Sequence, residues 1–222
     1  MSGTARYDGI AEYYEQFRPS LTPDELAALR RLLGRGAGRC LDAGCGTGVA
    51  TAAVAELGWS VVGVDVSEDL LELARRRGLE VVRASADALP FGDSSFDAAV
   101  SVWTHTDVGD FAAATTEVAR VLQPGAPFVY VGAHPCFVGP HSLFLAAEGV
   151  PELHPGYRPG GPYDETAPGV GNPEGLRARV GGMHLPLGPF VDAFAAAGLR
   201  IERFEELGER DYPYVVALRA RR

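Results

Sequence analysis

The chain has 222 residues, 46% of them hydrophobic and 22% charged, with a formal net charge of −9. That length and balance suit one globular domain with ample core and exclude a disordered chain. The acidic balance argues against a nucleic-acid partner held through its phosphates. All 20 basic residues are arginine, which removes both a P-loop lysine and a Schiff-base lysine.

In chain order, Tyr7 to Phe17 reads as a helix, with Ile10, Tyr13, Tyr14 and Phe17 at helical spacing. Thr22-Pro23-Asp24-Glu25 carries a helix start with proline at the first helical position and a capping-box glutamate. That helix runs to about Leu33 and stops at Gly34. The first strand is Arg39 to Ala43, and the helix after it runs to Leu57, where Gly58 stops it. The second strand is Ser60 to Asp65, and Ser67 caps a helix to about Arg77. The run Arg75-Arg76-Arg77 complements the dipole at that helix end. Leu79 to Ala84 and Phe96 to Val102 are strands three and four, Asp110 to Leu122 is a helix, and Ala126 to Ala133 is strand five. Such alternation predicts a doubly wound, Rossmann-like α/β fold with a mostly parallel sheet.

The rhythm breaks at about residues 135–189, which hold ten of the 16 prolines and eleven of the 28 glycines. A loop this long is functional or disordered, and Phe137, Phe144, Leu145, Tyr157, Tyr163 and Met183 give it apolar anchors. Gly188 to Ala197 then reads as a helix, and Arg200 to Leu207 with Tyr214 to Ala220 as a closing antiparallel pair. The three cysteines, Cys40, Cys45 and Cys136, have no paired spacing for zinc, and no metal site is expected. Met1 to Arg6 lacks an apolar signal region and no run approaches a membrane span, so a cytoplasmic location without a membrane partner is expected.

The most informative stretch is Cys40-Leu41-Asp42-Ala43-Gly44-Cys45-Gly46-Thr47-Gly48, followed by Val61-Val62-Gly63-Val64-Asp65. It reads as strand, glycine turn, helix, strand and acid. Gly46 and Gly48 let the backbone approach a ligand closely, the helix start favours an anion, and Asp65 could accept both hydroxyls of a ribose. A dinucleotide fingerprint wants a glycine where Val49 stands. Asp42 would repel a pyrophosphate but suit a cationic amino group. The combination fits S-adenosylmethionine and disfavours an NAD-dependent oxidoreductase.

The chain resembles the class I S-adenosylmethionine-dependent methyltransferases of the type 11 kind, over roughly residues 7–134 and the last two strands. Leu41 to Gly48 matches the first motif and Val64-Asp65-Val66-Ser67 the second. Ser85-Ala86-Asp87-Ala88-Leu89-Pro90-Phe91 resembles the third, Ser94 to Ser101 approaches the fourth strand, and Val121-Leu122-Gln123-Pro124-Gly125 precedes the fifth. The resemblance implies a seven-stranded sheet with an antiparallel last strand and a Pro/Gly-rich cap insertion. It implies one domain over 1–222, an N-terminal lid of about 1–20, and cofactor contacts from Tyr14, Arg18, Asp42, Gly44, Cys45, Gly46, Asp65, Val66, Asp87, Ala88 and Ser101.

Methyl transfer is an in-line displacement whose acceleration comes mostly from alignment, and a base is needed only for a protonated acceptor. Histidine is the natural base near neutral pH. His134 comes directly off strand five, where it can act as base, bind substrate, or stabilise the turn before Pro135. His105, after strand four, is the second catalytic candidate, although the resemblance gives a histidine there a generic or structural character. The expected function is methyl transfer to a small organic molecule in bacterial secondary metabolism, with a small-molecule acceptor, no nucleic acid and a homodimer as partner expectations. The alternatives are a cofactor-binding relative catalysing a rearrangement, cyclisation or decarboxylation, and a non-catalytic partner subunit.

Overall fold

The computed structural model describes residues 5–145 and 150–222, with the side chains of Phe144 and Leu145 outside that description. Elements follow in the order α1 (Ala11–Phe17), α2 (Pro23–Leu33), β1 (Arg39–Ala43), α3 (Val49–Ala55), β2 (Ser60–Asp65), α4 (Glu68–Arg76), β3 (Glu80–Arg83), β4 (Ala98–Val102), α5 (Phe111–Val121) and β5 (Pro127–Ala133). The cap follows with β6 (Ser142–Leu145), β7 (Val150–Leu153), β8 (Gly161–Tyr163), α6 (Leu176–Val180) and β9 (Gly182–His184). The chain closes with α7 (Leu187–Ala196), β10 (Arg200–Leu207) and β11 (Val215–Arg221). The main sheet has seven strands in the order β10-β11-β5-β4-β1-β2-β3. The five from β3 to β5 run parallel, while β11 is antiparallel to both β5 and β10.

Strand side chains alternate between the two faces of a sheet, and a sheet covered on both faces needs apolar residues at successive positions. On β5, Phe128 and Tyr130 enter the core on one side while Val129 and Val131 enter the core on the other. On β11, Val216 and Leu218 likewise oppose Val215 and Ala217. The first core is closed by α5 and α7, where Phe111 stacks on Phe190 with centroids 5.4 Å apart. The second is closed by Ala28, Leu29, Leu32 and Leu33 of α2 and Val54 of α3. Burying one such Leu or Phe contributes about 1.5–3 kcal/mol.

The larger differences from the sequence reading each have a local reason. α1 starts at Ala11 rather than Tyr7, because Gly9 at φ +83° breaks the helical path and Tyr7 to Ile10 form a turn. β4 starts at Ala98, since Phe96 makes only a single parallel bridge to Leu122. The 135–189 segment is not one loop. It holds two small two-stranded antiparallel sheets, β6–β7 and β8–β9, and the short helix α6. Leu176 of α6 packs with Tyr7, Ala11 and Leu70, so N-terminal segment, cap and α4 meet in one apolar cluster.

Candidate active site

The turn after β1 is fastened to β2 by two hydrogen bonds, in which Gly44 N–H and Cys45 N–H both donate to Val64 C=O (2.8 and 2.9 Å). A Cβ on Gly44 would lie 2.1 Å from Thr104 Cγ2, so this glycine lets the turn pack on the end of β4. Gly46, at φ +54°, faces the opposite way. A Cβ there would meet nothing nearer than the Tyr14 ring at 3.8 Å, so the space a side chain would take is left open. Gly46 N–H donates to Asp65 Oδ2 and Ser67 N–H to Asp65 Oδ1, each at 2.9 Å. Burial raises the Asp65 pKa, and these two backbone bonds partly hold it down. The carboxylate is thereby fixed at the carboxyl end of β2, where open α/β sheets bind ligands.

Here lies a cavity of about 220 Å³ whose lining includes Gly44, Gly46, Asp65, Val66, Asp87 and Tyr14. A narrower cavity runs past the glycine turn, lined by Tyr14, Arg18, Gly44, Cys45 and Trp103 among others. Eight of the expected cofactor residues therefore face one or both: Tyr14, Arg18, Gly44, Cys45, Gly46, Asp65, Val66 and Asp87. Tyr14 is held protonated, since burial pushes its pKa up to about 12. Arg18 is committed to a partner. It donates to both Glu25 carboxylate oxygens at 3.1 Å and lies over the Trp103 ring at 4.6 Å.

Three expected cofactor residues stand back from the two cavities. Ala88 forms the turn behind Asp87, its N–H donating to Ser85 C=O at 3.1 Å. Ser101 Oγ donates to Ala43 C=O at 2.9 Å and contacts Thr104, which braces β4 against β1. Asp42 departs from the expectation of direct contact with a cationic group. Strand alternation turns its side chain beneath the glycine turn, where it is wholly buried and accepts from Thr51 Oγ1 at 2.7 Å. Its Oδ1 has no partner among the described residues, and burial pushes its pKa up to about 7. A fully buried carboxylate with an unused oxygen favours positive charge beyond the turn without lining the cleft.

Both histidines expected as catalytic make structural contacts here. His134 accepts from Cys136 N–H at Nδ1 (3.1 Å), which leaves Nε2–H to donate to Glu206 Oε1 at 2.9 Å. Both ring nitrogens are used, so the imidazole braces the turn before Pro135 against β10 and has no nitrogen left for a substrate proton. His105 is 2% exposed and sits among Phe111, Tyr130 and Phe190, bonded through Nδ1 to the Tyr130 hydroxyl. Burial lowers its pKa to about 3, so it is a neutral core residue. His141 and His184 hold the cap together, donating to Cys136 C=O (2.9 Å) and Tyr157 C=O (2.7 Å), with ring centroids 4.8 Å apart. No group of three or more ligating side chains suited to a metal occurs among the described residues.

A larger cavity of about 660 Å³ opens between the N-terminal segment and the cap. Tyr7, Tyr14, Trp103 and Asp107 line both this space and the cofactor-sized cavity. Several of its wall residues were not singled out from the sequence. Asp107 accepts from Tyr7 OH at 2.9 Å and from Arg177 of the cap at 2.6 and 3.1 Å. Trp103 adopts φ +62° at the end of β4, a costly conformation for a bulky residue that recurs at functional sites. Its indole N–H donates to Glu25 Oε1 at 2.5 Å. The strain at Trp103 and the bonds to residues 70 or more positions away have no local sequence signal.

A glycine turn on β1, a fixed carboxylate on β2, a further acid after β3 and an antiparallel penultimate strand in the sheet define a Rossmann-like protein of the class I methyltransferase architecture. Residues 41–130 match the family model described as a methyltransferase domain. The chain is 36% identical over 124 residues to a demethylmenaquinone methyltransferase of Corynebacterium kroppenstedtii, with 54% of each chain covered. It is 39% identical over 103 residues to a fatty-acid O-methyltransferase of Mycolicibacterium smegmatis, covering 44% of this chain and 38% of that protein. The matched stretch thus spans about half the length of the first of these relatives. A crystal structure of an S-adenosylmethionine-dependent methyltransferase from Mesorhizobium loti superposes with a TM-score of 0.71 and 26% identity, covering 97% of this chain and 99% of that one. The matched domain and the superposed structure give the chain the fold of the class I S-adenosylmethionine-dependent methyltransferases, and S-adenosylmethionine is the cofactor of that class. The residues present fit it: the open space at Gly46, the unused buried oxygen of Asp42, and the paired acids Asp65 and Asp87 suit a ligand with hydroxyls and positive charge. No helix among the described residues is long and apolar enough to cross a membrane.

Proposed function

We propose that the protein methylates a small organic molecule held in the larger cavity beneath the cap. The observation that carries this reading is the shared wall: Tyr7, Tyr14, Trp103 and Asp107 face both the cofactor-sized cavity and the larger one. Two reactants that meet where these four residues border both cavities are held in a fixed line, and such alignment supplies most of the acceleration of a displacement. Asp65, Asp87 and the backbone at Gly46 would hold the cofactor, which when bound supplies an electrophilic methyl on a sulfonium. Tyr14 keeps its proton at neutral pH and orients a polar group beside the wall. The cap excludes water from the acceptor. No histidine serves as base in this account, so a hydroxyl acceptor loses its proton to solvent during or after attack.

In this reading residues 1–222 work as one domain, with an N-terminal lid of about 1–20 and a cap of about 135–189. A cytoplasmic location, a homodimer, the absence of a nucleic-acid partner and a place in bacterial secondary metabolism belong to the same proposal. The net charge of −9 supports the absence of a nucleic-acid partner, and bacterial relatives named for methylating demethylmenaquinone and a fatty acid support a small-molecule acceptor. The test is incubation with S-adenosylmethionine and a library of small acceptors, reading release of S-adenosylhomocysteine and a mass gain of one methylene on the acceptor. Acceptor turnover with no release of S-adenosylhomocysteine would replace methyl transfer by a rearrangement, cyclisation or decarboxylation.

A further inference from the structure

The wall of the larger cavity contains four ionic side chains, Arg18, Glu25, Asp107 and Arg177. They form two closed pairs: Arg18 on Glu25 at 3.1 Å, and Arg177 on Asp107 at 2.6 Å. Neutral donors take further lone pairs of the acids. Trp103 Nε1–H and Thr22 N–H donate to Glu25 at 2.5 and 2.8 Å, and Tyr7 OH donates to Asp107 at 2.9 Å. A charged ligand would have to open one of these pairs or lie desolvated without a counter-charge, and either is costly. Much of the remaining wall is apolar, including Phe17, Val138, Leu143, Val170 and Leu176. Four phenols interrupt it, among them Tyr14 at the wall shared with the cofactor cavity and Tyr163 on the cap. Burial raises the pKa values of these two, so both are available as proton donors at neutral pH.

We propose that the acceptor is an uncharged, predominantly apolar molecule bearing hydroxyl or carbonyl groups, with one such group at Tyr14 and the apolar body toward the cap. This rests on the assignment of the larger cavity as the acceptor site. Its volume of about 660 Å³ lies in the range of pockets that enclose drug-sized organic ligands.

The experiment uses three compounds with one apolar body: 1-adamantanemethanol, 1-adamantanecarboxylate and 1-adamantylmethylammonium. Each is titrated calorimetrically into the full chain saturated with S-adenosylhomocysteine. The chain has two tryptophans, and a Trp59→Phe variant leaves Trp103 in the cavity wall as the only indole reporter. We expect the alcohol to bind at least tenfold more tightly than either ion and to shift Trp103 emission. Binding of the carboxylate or ammonium as tight as that of the alcohol would overturn the inference. So would absence of alcohol binding while S-adenosylhomocysteine still binds, an outcome that leaves the cofactor assignment intact. Loss of S-adenosylhomocysteine binding as well would instead sink the parent reading. In Glu25→Gln, where glutamine preserves the capping box, Arg18 loses its counter-charge and carboxylate affinity should rise about tenfold. Unchanged carboxylate affinity in a folded variant would show that paired charge does not set the exclusion.

Discussion

Replacing Arg177 by methionine should loosen the cap while leaving the sheet untouched. The guanidinium joins Asp107 through two charge-assisted bonds (2.6 and 3.1 Å) and also donates to Thr106 Oγ1 at 2.9 Å and Gly181 C=O at 3.1 Å. Breaking a buried pair from one side costs about 3–5 kcal/mol. Here the two side chains are 25% and 21% exposed, and Tyr7 still donates to Asp107, so solvent and that bond relieve part of the loss. About 2–3 kcal/mol remains. Because α6 and β9 are tied to the core by this pair and by Met183 N–H on Thr106 C=O (2.7 Å), the loss falls on cap opening. Amide exchange at Gly182 to His184 should accelerate about 30- to 150-fold, at about 1.4 kcal/mol per decade. Val100 and Val131, inside the sheet, should exchange as before. Unchanged exchange at Gly182 to His184 would refute the latch, and equal acceleration across the sheet would show that the pair serves global rather than cap stability.

His134→Ala should retain near-normal turnover while losing about 1–3 kcal/mol in chemical denaturation, since both ring nitrogens hold structure; a turnover loss of about 100-fold would restore it as base. Asp42, with its folded pKa raised to about 7, binds more protons in the native than in the unfolded state between about pH 4 and 7, so its contribution to stability falls as pH rises through that window. Asp42→Asn should therefore gain about 2–4 kcal/mol relative to the parent protein between pH 3.5 and 7.5, read from urea midpoints, and a pH-independent difference would contradict the buried carboxylate. Replacing residues 140–185 by a short Gly/Ser bridge should leave S-adenosylhomocysteine binding within a few-fold of the full chain while abolishing transfer to the acceptor; transfer by the shortened enzyme would dismiss the cap's role. Saturating ligand should slow amide exchange at Tyr14 and Arg18, and equal exchange with and without ligand would make α1 a static packing helix.

The parts of this account that were legible in the sequence are those governed by short-range rules. The short apolar strands β1 and β5, the Thr22–Glu25 capping box and the glycine turn each depend on neighbours within a few residues, and the structure has them close to where the sequence puts them. The small cap sheets were not legible, because β8 and β9 are three-residue strands in a Pro/Gly-rich stretch with too few positions to show a period of two. The histidines show the limit most clearly. His134 left three roles open because the sequence cannot say whether its ring turns to a cavity or to Glu206, 72 residues away. Asp107 and Arg177, 70 residues apart, meet only once the cap folds back, and one step of strand alternation carries the Asp42 side chain beneath the turn.

The central claim is that the cleft at Gly46, Asp65 and Asp87 holds S-adenosylmethionine. Calorimetric titration of S-adenosylhomocysteine into the parent chain and into Asp65→Ala tests it most directly. We predict a dissociation constant near micromolar, about −8 kcal/mol, weakened by about 1.5–3 kcal/mol in the variant through loss of charge-assisted bonds. Absence of heat with S-adenosylhomocysteine alongside binding of NAD, or an identical constant in Asp65→Ala, would contradict it.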